Sequence, residues 1–565
     1  MFVILVMANF TLAMPPLNGG AMPVRPAGVD EPDPNSPARD DADLEGEWNL
    51  LILLVDFPDY PWDFQDDENF DNEGNIYTPE QIESMLFSEG DYAHPGAENE
   101  YTGSMRDFYT ENSHGNFTVT GTVTEWFRAP EPYTFYVNGD GEFGTPDDYG
   151  YGEYEQSVRQ LVEDALELAD ESIDYSDFDN NEDGIVDGLF IVHAGPGAEV
   201  MGRNEVGANY IWSHKWSIRG HERDGVILSG YTMQPQDGSI GVFCHEFGHA
   251  LGLPDLYDTD YSSNGMGNWE LMAGGSWTHR AGDPRGTSPV YMGAWCKSQL
   301  GWVDVVNVDE TVEDVEIAPV AESGTVYRLW TDGDGESQEY FMAENRRRIG
   351  FDRGLTRRQI ENDLPAPEGL LITHIDETRL RIGGNTDEMH RAVDVEEASP
   401  VWIDGEPFEN LDGTGNNLDL FMGNTGDEGD LWPGVLEMNE EQSEWTGERD
   451  LDAFSVFSTP SSNSYEGNPT LVDVYNVRMD GENVIASFSV TAPDYPLLYI
   501  ADWTTDDGEQ GNDNIEPGET IELNVTLANI GNQDATIVSA TLSYEGDLAE
   551  VIRGHSDFPD IPSNE

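Results

Sequence analysis

Residues Gly241 to Asp258 of this 565-residue chain read GVFCHEFGHALGLPDLYD, and they are its most informative segment. His245 and His249 are four residues apart, so a helix would place both imidazoles on one face, close enough to bind one metal ion. Glu246 lies between them and can direct its carboxylate towards a water molecule at the metal. Asp255 can return to the metal from the turn that follows. The pattern His-Glu-x-x-His-x-x-Gly-x-x-Asp therefore predicts a zinc site with an aspartate as third ligand.

Two further features around this stretch favour the same interpretation. The apolar residues Ile240, Val242 and Phe243 before the motif are typical of a buried helix. Downstream, the segment LMAGG from residue 271 predicts a Met-turn, in which Met272 lies beneath the zinc ligands. The alternative is a buried helix whose histidines are merely hydrogen-bonded, which would make each added element a coincidence. Asp258 is a less favoured substitute for the third ligand.

Motifs along much of the chain resemble those of the immune-inhibitor-A-type secreted zinc metallopeptidases, relatives of the metzincins. Beyond the zinc motif, the segments that carry the resemblance are LILLVDFPD (51–59), SMRDFY (104–109), DGLFIVHAG (187–195), IWSH (211–214), GLLITHID (369–376) and GDLWPG (429–434). The resemblance covers roughly residues 48–489. It implies a secreted zinc peptidase that acts on proteins or peptides.

The charge balance of the chain is extreme. There are 25 Lys plus Arg against 112 Asp plus Glu, which gives a net charge of −87, and the lysines are Lys215 and Lys297 alone. Such a surface repels nucleic acid and anionic membranes, so neither is expected as a partner. Some carboxylates are expected to bind Ca²⁺, and the rest to keep the protein soluble in high salt, where the Debye length is about 3 Å at 1 M. The scarcity of lysine favours a salt-adapted source.

The pattern along the chain predicts an α/β metzincin-like zinc peptidase domain, a β-sandwich domain and a partial immunoglobulin-like β module. The apolar segment from Met1 to Met14 is too short to span a membrane, and it indicates either a signal peptide or a core strand of a lost pro-region. No later run is long enough for stable membrane insertion. The predicted units are a signal peptide (1–20), a linker or vestigial pro-segment (21–47), the catalytic domain (48–302), the β-sandwich (303–491) and the immunoglobulin-like module (492–565).

Periodicity gives a coarse map of the elements within these units. Unbroken or alternating apolar residues predict strands over 48–57, 117–123 and 188–194, and helical spacing predicts helices over 104–112, 153–169 and 289–300. After residue 303 the sequence changes to short stretches in which apolar and polar residues alternate, a pattern that predicts strands. Examples are 325–330, 339–343, 369–375 and 484–490.

The loop from Asp179 to Asp187 is the strongest candidate for a second metal site. Side-chain oxygens recur at Asp179, Asn181, Asp183 and Asp187 around a glycine, as in calcium loops. Position twelve is Phe190 instead of glutamate, which excludes a full EF-hand and leaves a shorter structural calcium loop. The alternative is an acidic turn before a strand.

The sequence does not determine whether the two cysteines of the chain form a disulfide. Export would permit a disulfide between Cys244 and Cys296, and two small buried thiols fit the sequence equally well.

The function that these residues favour is a secreted zinc endopeptidase, with Glu246 as the base that activates the zinc-bound water. The rival from another class is a calcium-stabilised adhesin or glycan-binding scaffold without catalysis. The intact Glu246 argues against that rival, because a scaffold needs no carboxylate beside the metal. A zinc peptidase that acts on glycoproteins such as mucins is a third possibility.

Overall fold

The computed structural model describes most of the chain, with gaps at the N-terminus and in several loops. The described residues are 12–13, 44–63, 77–99, 101–137, 143–145, 147–202, 204–260, 262–355, 368–380, 384–398, 401–403, 406–408, 425–426, 429–439, 444–506, 522–542 and 551–563. The predicted signal peptide and linker therefore lie outside the described residues, apart from Leu12–Ala13 and residues 44–47.

A seven-stranded mixed sheet, sheet A, organises the N-terminal half. Its strands are β1 (Leu12–Ala13), β2 (Gly46–Asp56), β3 (Phe117–Val123), β4 (Phe127–Arg128), β5 (Leu189–His193), β6 (His214–Arg223) and β7 (Val226–Pro235). Their order is β1-β6-β7-β5-β2-β3, with β4 beside β2. Strands β2, β3, β4, β5 and β7 run parallel to one another, and β6 is antiparallel to β7 and β1. The sheet thus has a parallel centre and an antiparallel edge.

Helices cover both faces of sheet A, because its central strand is apolar on both sides. The helices of the described chain are α1 (Pro79–Phe87), α2 (Met105–Asn112), α3 (Tyr133–Tyr136), α4 (Val158–Ala169), α5 (Ala198–Met201), α6 (Ile240–Ala250), α7 (Ala294–Gln299) and α8 (Val320–Ser323). Alternate residues of β2 join two separate cores: Leu50, Ile52 and Leu54 pack with α1, α2 and α6, whereas Leu51, Leu53 and Val55 pack with α4. A continuous apolar strand is what a parallel sheet covered on both faces requires.

The predicted strands of this half are confirmed, and two predicted helices are shorter than expected. Helix α4 begins at Val158 because the Ser157 side chain accepts from the Arg159 amide and caps it. Helix α7 begins at Ala294 because long-range bonds hold the preceding backbone extended: Tyr291 N donates to Asp352, and Met292 N donates to an Asn112 oxygen.

The C-terminal half is built from β structure. The strands between residues 304 and 489 are β8 (Asp304–Asn307), β9 (Val312–Ile317), β10 (Thr325–Leu329), β11 (Glu339–Arg346), β12 (Gly369–Asp376), β13 (Val393–Val395), β14 (Val401–Ile403), β15 (Glu406–Phe408), β16 (Gly434–Asn439), β17 (Glu444–Leu451), β18 (Asp473–Asp480) and β19 (Asn483–Ser489). Sheet B has the order β13-β12-β11-β10-β8, and sheet C has the order β18-β19-β9.

Sheet B is covered on both faces, which joins the two halves of the molecule. On one face Phe341 and Ile372 share a hydrophobic cluster with Phe488 of sheet C. On the other face Met342 and Leu371 belong to the same cluster as α6. The change from helices to sheets near residue 303 therefore does not interrupt the hydrophobic core.

The last described part of the chain contains two antiparallel pairs. These are β20 (Leu498–Asp506) with β21 (Glu522–Asn529), and β22 (Ser539–Thr541) with β23 (His555–Asp557). Residues 507–521 between the first two strands lie outside the described part. The immunoglobulin-like topology stays a prediction. Among the helices described, none combines the length and apolar character needed to cross a bilayer.

Candidate metal centre

The motif histidines lie on α6, which is buried from Ile240 to His249. This helix packs on sheet A through apolar side chains such as Phe243 and Phe247. As expected from the four-residue spacing, the two imidazoles share one face, and their Nε2 atoms are 3.2 Å apart. Helix α6 is also fixed from outside, since the Tyr109 hydroxyl donates to the Cys244 carbonyl oxygen at 2.7 Å.

Asp255 returns to the two histidines after a sharp change of chain direction. The turn uses Gly252, whose φ of +102° is a conformation that residues with a side chain rarely adopt. The carboxylate atom Oδ1 of Asp255 lies 3.3 Å from Nε2 of His245 and 3.2 Å from Nε2 of His249. Within the described ranges these three residues form the one group of three histidines, cysteines or acids close enough to share an ion.

The triangle of ligand atoms has the size that a zinc ion needs. Tetrahedral ligands about 2.0–2.1 Å from zinc are about 3.3–3.4 Å from one another. The observed separations are 3.2–3.3 Å. The residues present therefore fit a single four-coordinate ion with one position left for another ligand.

Hydrogen bonds on the far side of each imidazole favour the tautomer that binds metal. Nδ1 of His245 is 3.0 Å from the Leu271 carbonyl oxygen, and Nδ1 of His249 is 2.8 Å from that of Leu253. A carbonyl oxygen only accepts, so each Nδ1 carries the proton and each Nε2 presents a lone pair to the site.

The charge state of the site suits a divalent cation. Burial lowers the pKa of His249, which keeps its imidazole neutral and able to bind metal. Burial also works to raise the pKa of Asp255, but the two adjacent imidazoles outweigh it and hold that pKa below its ordinary value. A neutral His249 beside an ionised Asp255 leaves a buried negative charge for a cation to neutralise.

Glu246 lies on α6 beside the histidine pair, and its side chain is fully buried. The neighbouring Cys244 and its distant counterpart Cys296 are both buried, free thiols, so the disulfide alternative does not occur in this structure. Burial raises the pKa of both thiols, and they act as apolar packing groups.

Met272 packs against the helix that carries the histidines. A Cβ at Gly248 would lie only 2.5 Å from the Met272 sulfur, so glycine is what allows this close approach. The Met272 carbonyl oxygen accepts from the Leu256 amide at 2.8 Å. The methionine thus contacts the histidine helix and, through its backbone, the turn that carries Asp255.

Glu270, which was not predicted from the sequence, holds the backbone at Met272 in place. Its carboxylate is buried and accepts from the amides of Met272 at 3.1 Å and Gly293 at 2.7 Å. Nothing in the sequence distinguishes Glu270 from the other 111 acidic residues.

Asp258, the substitute ligand, does not join the metal group. Its Oδ2 accepts from the Ser262 hydroxyl and from the amide and hydroxyl of Ser263, at 2.8–2.9 Å. The residue organises a turn next to the site. Asp255 is the aspartate that the fold brings to the histidines.

The acidic loop from Asp179 to Asp187 is closed by its own side chains. Asp179 accepts from the amides of Asp183 and Gly184, and the Asn180 amide donates to Asp187. Asn181 donates to Asp183 at 3.2 Å. These bonds order the loop without identifying a ligand, so the calcium site stays a prediction.

Comparisons with known proteins agree with this geometry. Residues 44–303 match the family model described as "Immune inhibitor A peptidase M6, catalytic domain". The chain is 36% identical over 283 residues to the pre-pro-metalloprotease PrtV of Vibrio cholerae, an alignment that covers 44% of this chain and 29% of that protein. It is 34% identical over 315 residues to immune inhibitor A of Bacillus thuringiensis subsp. alesti, covering 49% of this chain and 44% of the relative. The chain thus spans less than half the length of either relative.

Proposed function

We propose, from the premise that residues 44–303 form a peptidase M6 catalytic domain of the immune inhibitor A type, that this chain is a secreted zinc endopeptidase. The observation that carries the proposal is the triangle of His245, His249 and Asp255, with ligand atoms 3.2–3.3 Å apart and Glu246 beside them. The match to a catalytic domain disfavours the alternative of an adhesin or glycan-binding scaffold. The helix–turn–methionine arrangement supports a metzincin-like architecture.

In the proposed mechanism the three ligands would hold the ion, and Glu246 moves the proton. Zinc bound there would supply Lewis-acid polarisation and electrostatic stabilisation of developing negative charge. Glu246 accepts the proton of the attacking water and later donates it to the departing amine. Asp255 is anionic, so it lowers the net positive charge of the site compared with three histidines.

Export and calcium binding are further parts of the proposal. The apolar segment from Met1 to Met14 supports export, and the name of the Vibrio relative describes it as a pre-pro-metalloprotease. The oxygen-rich loop between Asp179 and Asp187 supports a structural calcium ion that takes no part in the chemistry. The substrates are proposed to be proteins or peptides.

A digestion assay tests the proposed function directly. The full chain should degrade casein, lose this activity in a chelator and regain it when Zn²⁺ is added. His249→Ala should be inactive and depleted of zinc by elemental analysis, because it deletes a ligand. Digestion that continues in metal-free buffer, or a His249→Ala protein with full zinc content, would contradict the metal centre.

A further inference from the structure

The turn that carries Asp255 is held by residues that lie outside the matched peptidase segment. Two side chains from the segment leading into β13, Asn385 and Arg391, reach back across the molecule to this turn. Asn385 is only 1% exposed, and Arg391 is fully buried. They follow the end of the 44–303 match by more than eighty positions in the chain, and they meet the turn because sheet B packs against the peptidase core.

Asn385 contacts the residue next to the proposed third ligand. Its Nδ2 donates to the Leu256 carbonyl oxygen at 2.9 Å and to that of Val393 at 2.8 Å. Its Oδ1 accepts from the amides of Ala392 and Val393, both at 3.1 Å. Both donor hydrogens and both lone pairs are thereby used, so the amide has one orientation.

Arg391 fixes the far end of the same turn. Its Nη1 donates to Asp394 at 2.6 Å, and its Nη2 donates to the Ser263 hydroxyl oxygen at 2.9 Å. Ser263 in turn donates to Asp258, the residue around which residues 258–263 fold. A buried guanidinium held by a carboxylate is a rigid anchor.

We infer that Asn385 and Arg391 are positioning residues for the metal ligand Asp255, so that the metal centre requires the second half of the chain. This inference rests on the proposed metal site. Asp255 follows Gly252 in an irregular turn, where the backbone has no helix or strand ladder of its own to hold it. Its carboxylate must keep its separations of 3.2–3.3 Å from the two imidazole nitrogens if all three groups are to bind one ion. The Asn385–Leu256 hydrogen bond limits movement one residue away. Side chains that orient metal ligands typically change affinity 10–100-fold when they are replaced.

The test is the Zn²⁺ dissociation constant of the full chain, measured by competition with a chromophoric chelator. Asn385→Ala should weaken Zn²⁺ binding at least about tenfold. The matched control is Asn345→Ala, because Asn345 is also buried and donates from Nδ2 to two carbonyl oxygens, those of Ile317 and Glu482. Its partners belong to the β half alone, so it should lower the melting temperature and leave zinc affinity within about twofold of wild type. The cobalt(II) absorption spectrum of each variant reports ligand geometry independently of activity.

Two results would overturn the inference. One is a folded Asn385→Ala protein with wild-type zinc affinity, and the other is equal weakening by Asn385→Ala and Asn345→Ala, which indicates general destabilisation. If Asn385→Ala does not fold, Ser263→Ala is measured instead, since it deletes only the hydroxyl that Arg391 contacts. It should weaken zinc binding at least about threefold, because the same hydroxyl also donates to Asp258 and accepts from the Gly265 amide. An unchanged zinc affinity would overturn the inference.

His249→Ala in the same assay separates this inference from the proposed function. If that variant binds zinc normally, the metal centre itself is wrong. If it loses zinc while Asn385→Ala retains it, the positioning role alone fails.

Discussion

At the scale of single residues, the chemistry of the site depends on which nitrogen and which oxygen face the centre. The carbonyl oxygens of Leu253 and Leu271 accept hydrogen bonds from the Nδ1–H groups of the two histidines, which leaves both Nε2 atoms for the metal. Asp255 completes the triangle with one oxygen. Glu246 has no place in the triangle, and this leaves its carboxylate for proton transfer in the proposed reaction.

Glu246→Gln should retain zinc and fold but lose peptidase activity by about 10²–10⁴-fold, because an amide does not accept the proton of the water. The measurement is kcat/KM on a fluorogenic peptide, with zinc content and melting temperature determined on the same sample. Glu199→Gln is the matched control, since Glu199 is also buried, accepts from the Ser213 amide and hydroxyl, and follows Ala198, which belongs to the core on the opposite face of sheet A. Near wild-type activity in a zinc-loaded Glu246→Gln protein would remove this residue from the mechanism.

Among the secondary-structure elements, each half of the molecule has a polar cluster that connects a loop to a strand. In sheet B this cluster is centred on His374 of β12. Its Nε2 lies 3.1 Å from Oε1 of Glu339, and its Nδ1 lies 3.2 Å from Oε1 of Glu396. Tyr465 stacks on its ring with a centroid distance of 4.1 Å, and the Tyr465 amide donates to Glu339. The imidazolium therefore joins two carboxylates and the loop that contains Tyr465.

The free energy of unfolding should depend on pH because of the ion pairs of His374 with Glu339 and Glu396. Burial alone would lower the pKa of His374, but the two carboxylates outweigh it and raise the pKa to about 9. The unfolded value is about 6.5. Because the folded pKa is the higher one, the stabilisation is complete below about pH 6.5 and is lost as the pH rises through about 9, with a total of at most about 3 kcal/mol.

Urea unfolding of the metal-free protein at pH 6.5 and at pH 9.5 measures this effect. Wild type should lose more stability over that range than His374→Gln, which keeps a polar side chain but does not titrate. A difference between the two proteins that is the same at both pH values would show that His374 does not change its protonation on unfolding.

In the peptidase half, the corresponding polar cluster is the Asp179–Asp187 loop. It feeds into β5, and Asn180 bonds to Asn49 of β2, so an ion held there would brace the centre of sheet A. A cation that binds only the folded loop stabilises by about 2.7 kcal/mol at a hundredfold excess over its dissociation constant. Addition of Ca²⁺ at constant ionic strength should raise the melting temperature and slow self-digestion.

Asp183→Ala should abolish the calcium response. Glu171→Ala is the control, because it removes one negative charge from an exposed position outside the loop. A wild-type melting curve that does not respond to Ca²⁺ would identify the loop as an acidic turn.

At the scale of the whole molecule, the dominant property is the net charge of −87. Repulsion among 112 carboxylates opposes the compact state, and salt screens it. Raising NaCl from about 0.1 M to about 1 M shortens the Debye length from about 10 Å to about 3 Å. The melting temperature should therefore rise with NaCl, most steeply at low ionic strength.

Potassium chloride at equal ionic strength is the control for this effect, because screening depends on charge and not on the identity of the cation. The rise should also survive in Asp183→Ala, which separates screening from calcium binding. A melting temperature that stays flat or falls with NaCl would contradict salt adaptation.

The local chemistry of this protein could be predicted from its amino-acid sequence. The spacing of His245 and His249 specifies one helix face, and the unbroken apolar run of β2 specifies a strand covered on both sides. Both follow from short-range periodicity, which is read within one turn or one strand. The helix predicted over 104–112, observed as α2, was accessible for the same reason.

The groups that approach the site from distant parts of the chain could be identified only from the three-dimensional fold. The motif favoured Asp255 over Asp258 as third ligand, but only the fold shows that Asp255 reaches the histidines while Asp258 organises a turn. Glu270 and Asn385 carry no local signal, because the partners they hold lie elsewhere in the chain. Their roles arise where sheet B packs on the peptidase core, and burial there requires each polar group to find a partner irrespective of sequence distance.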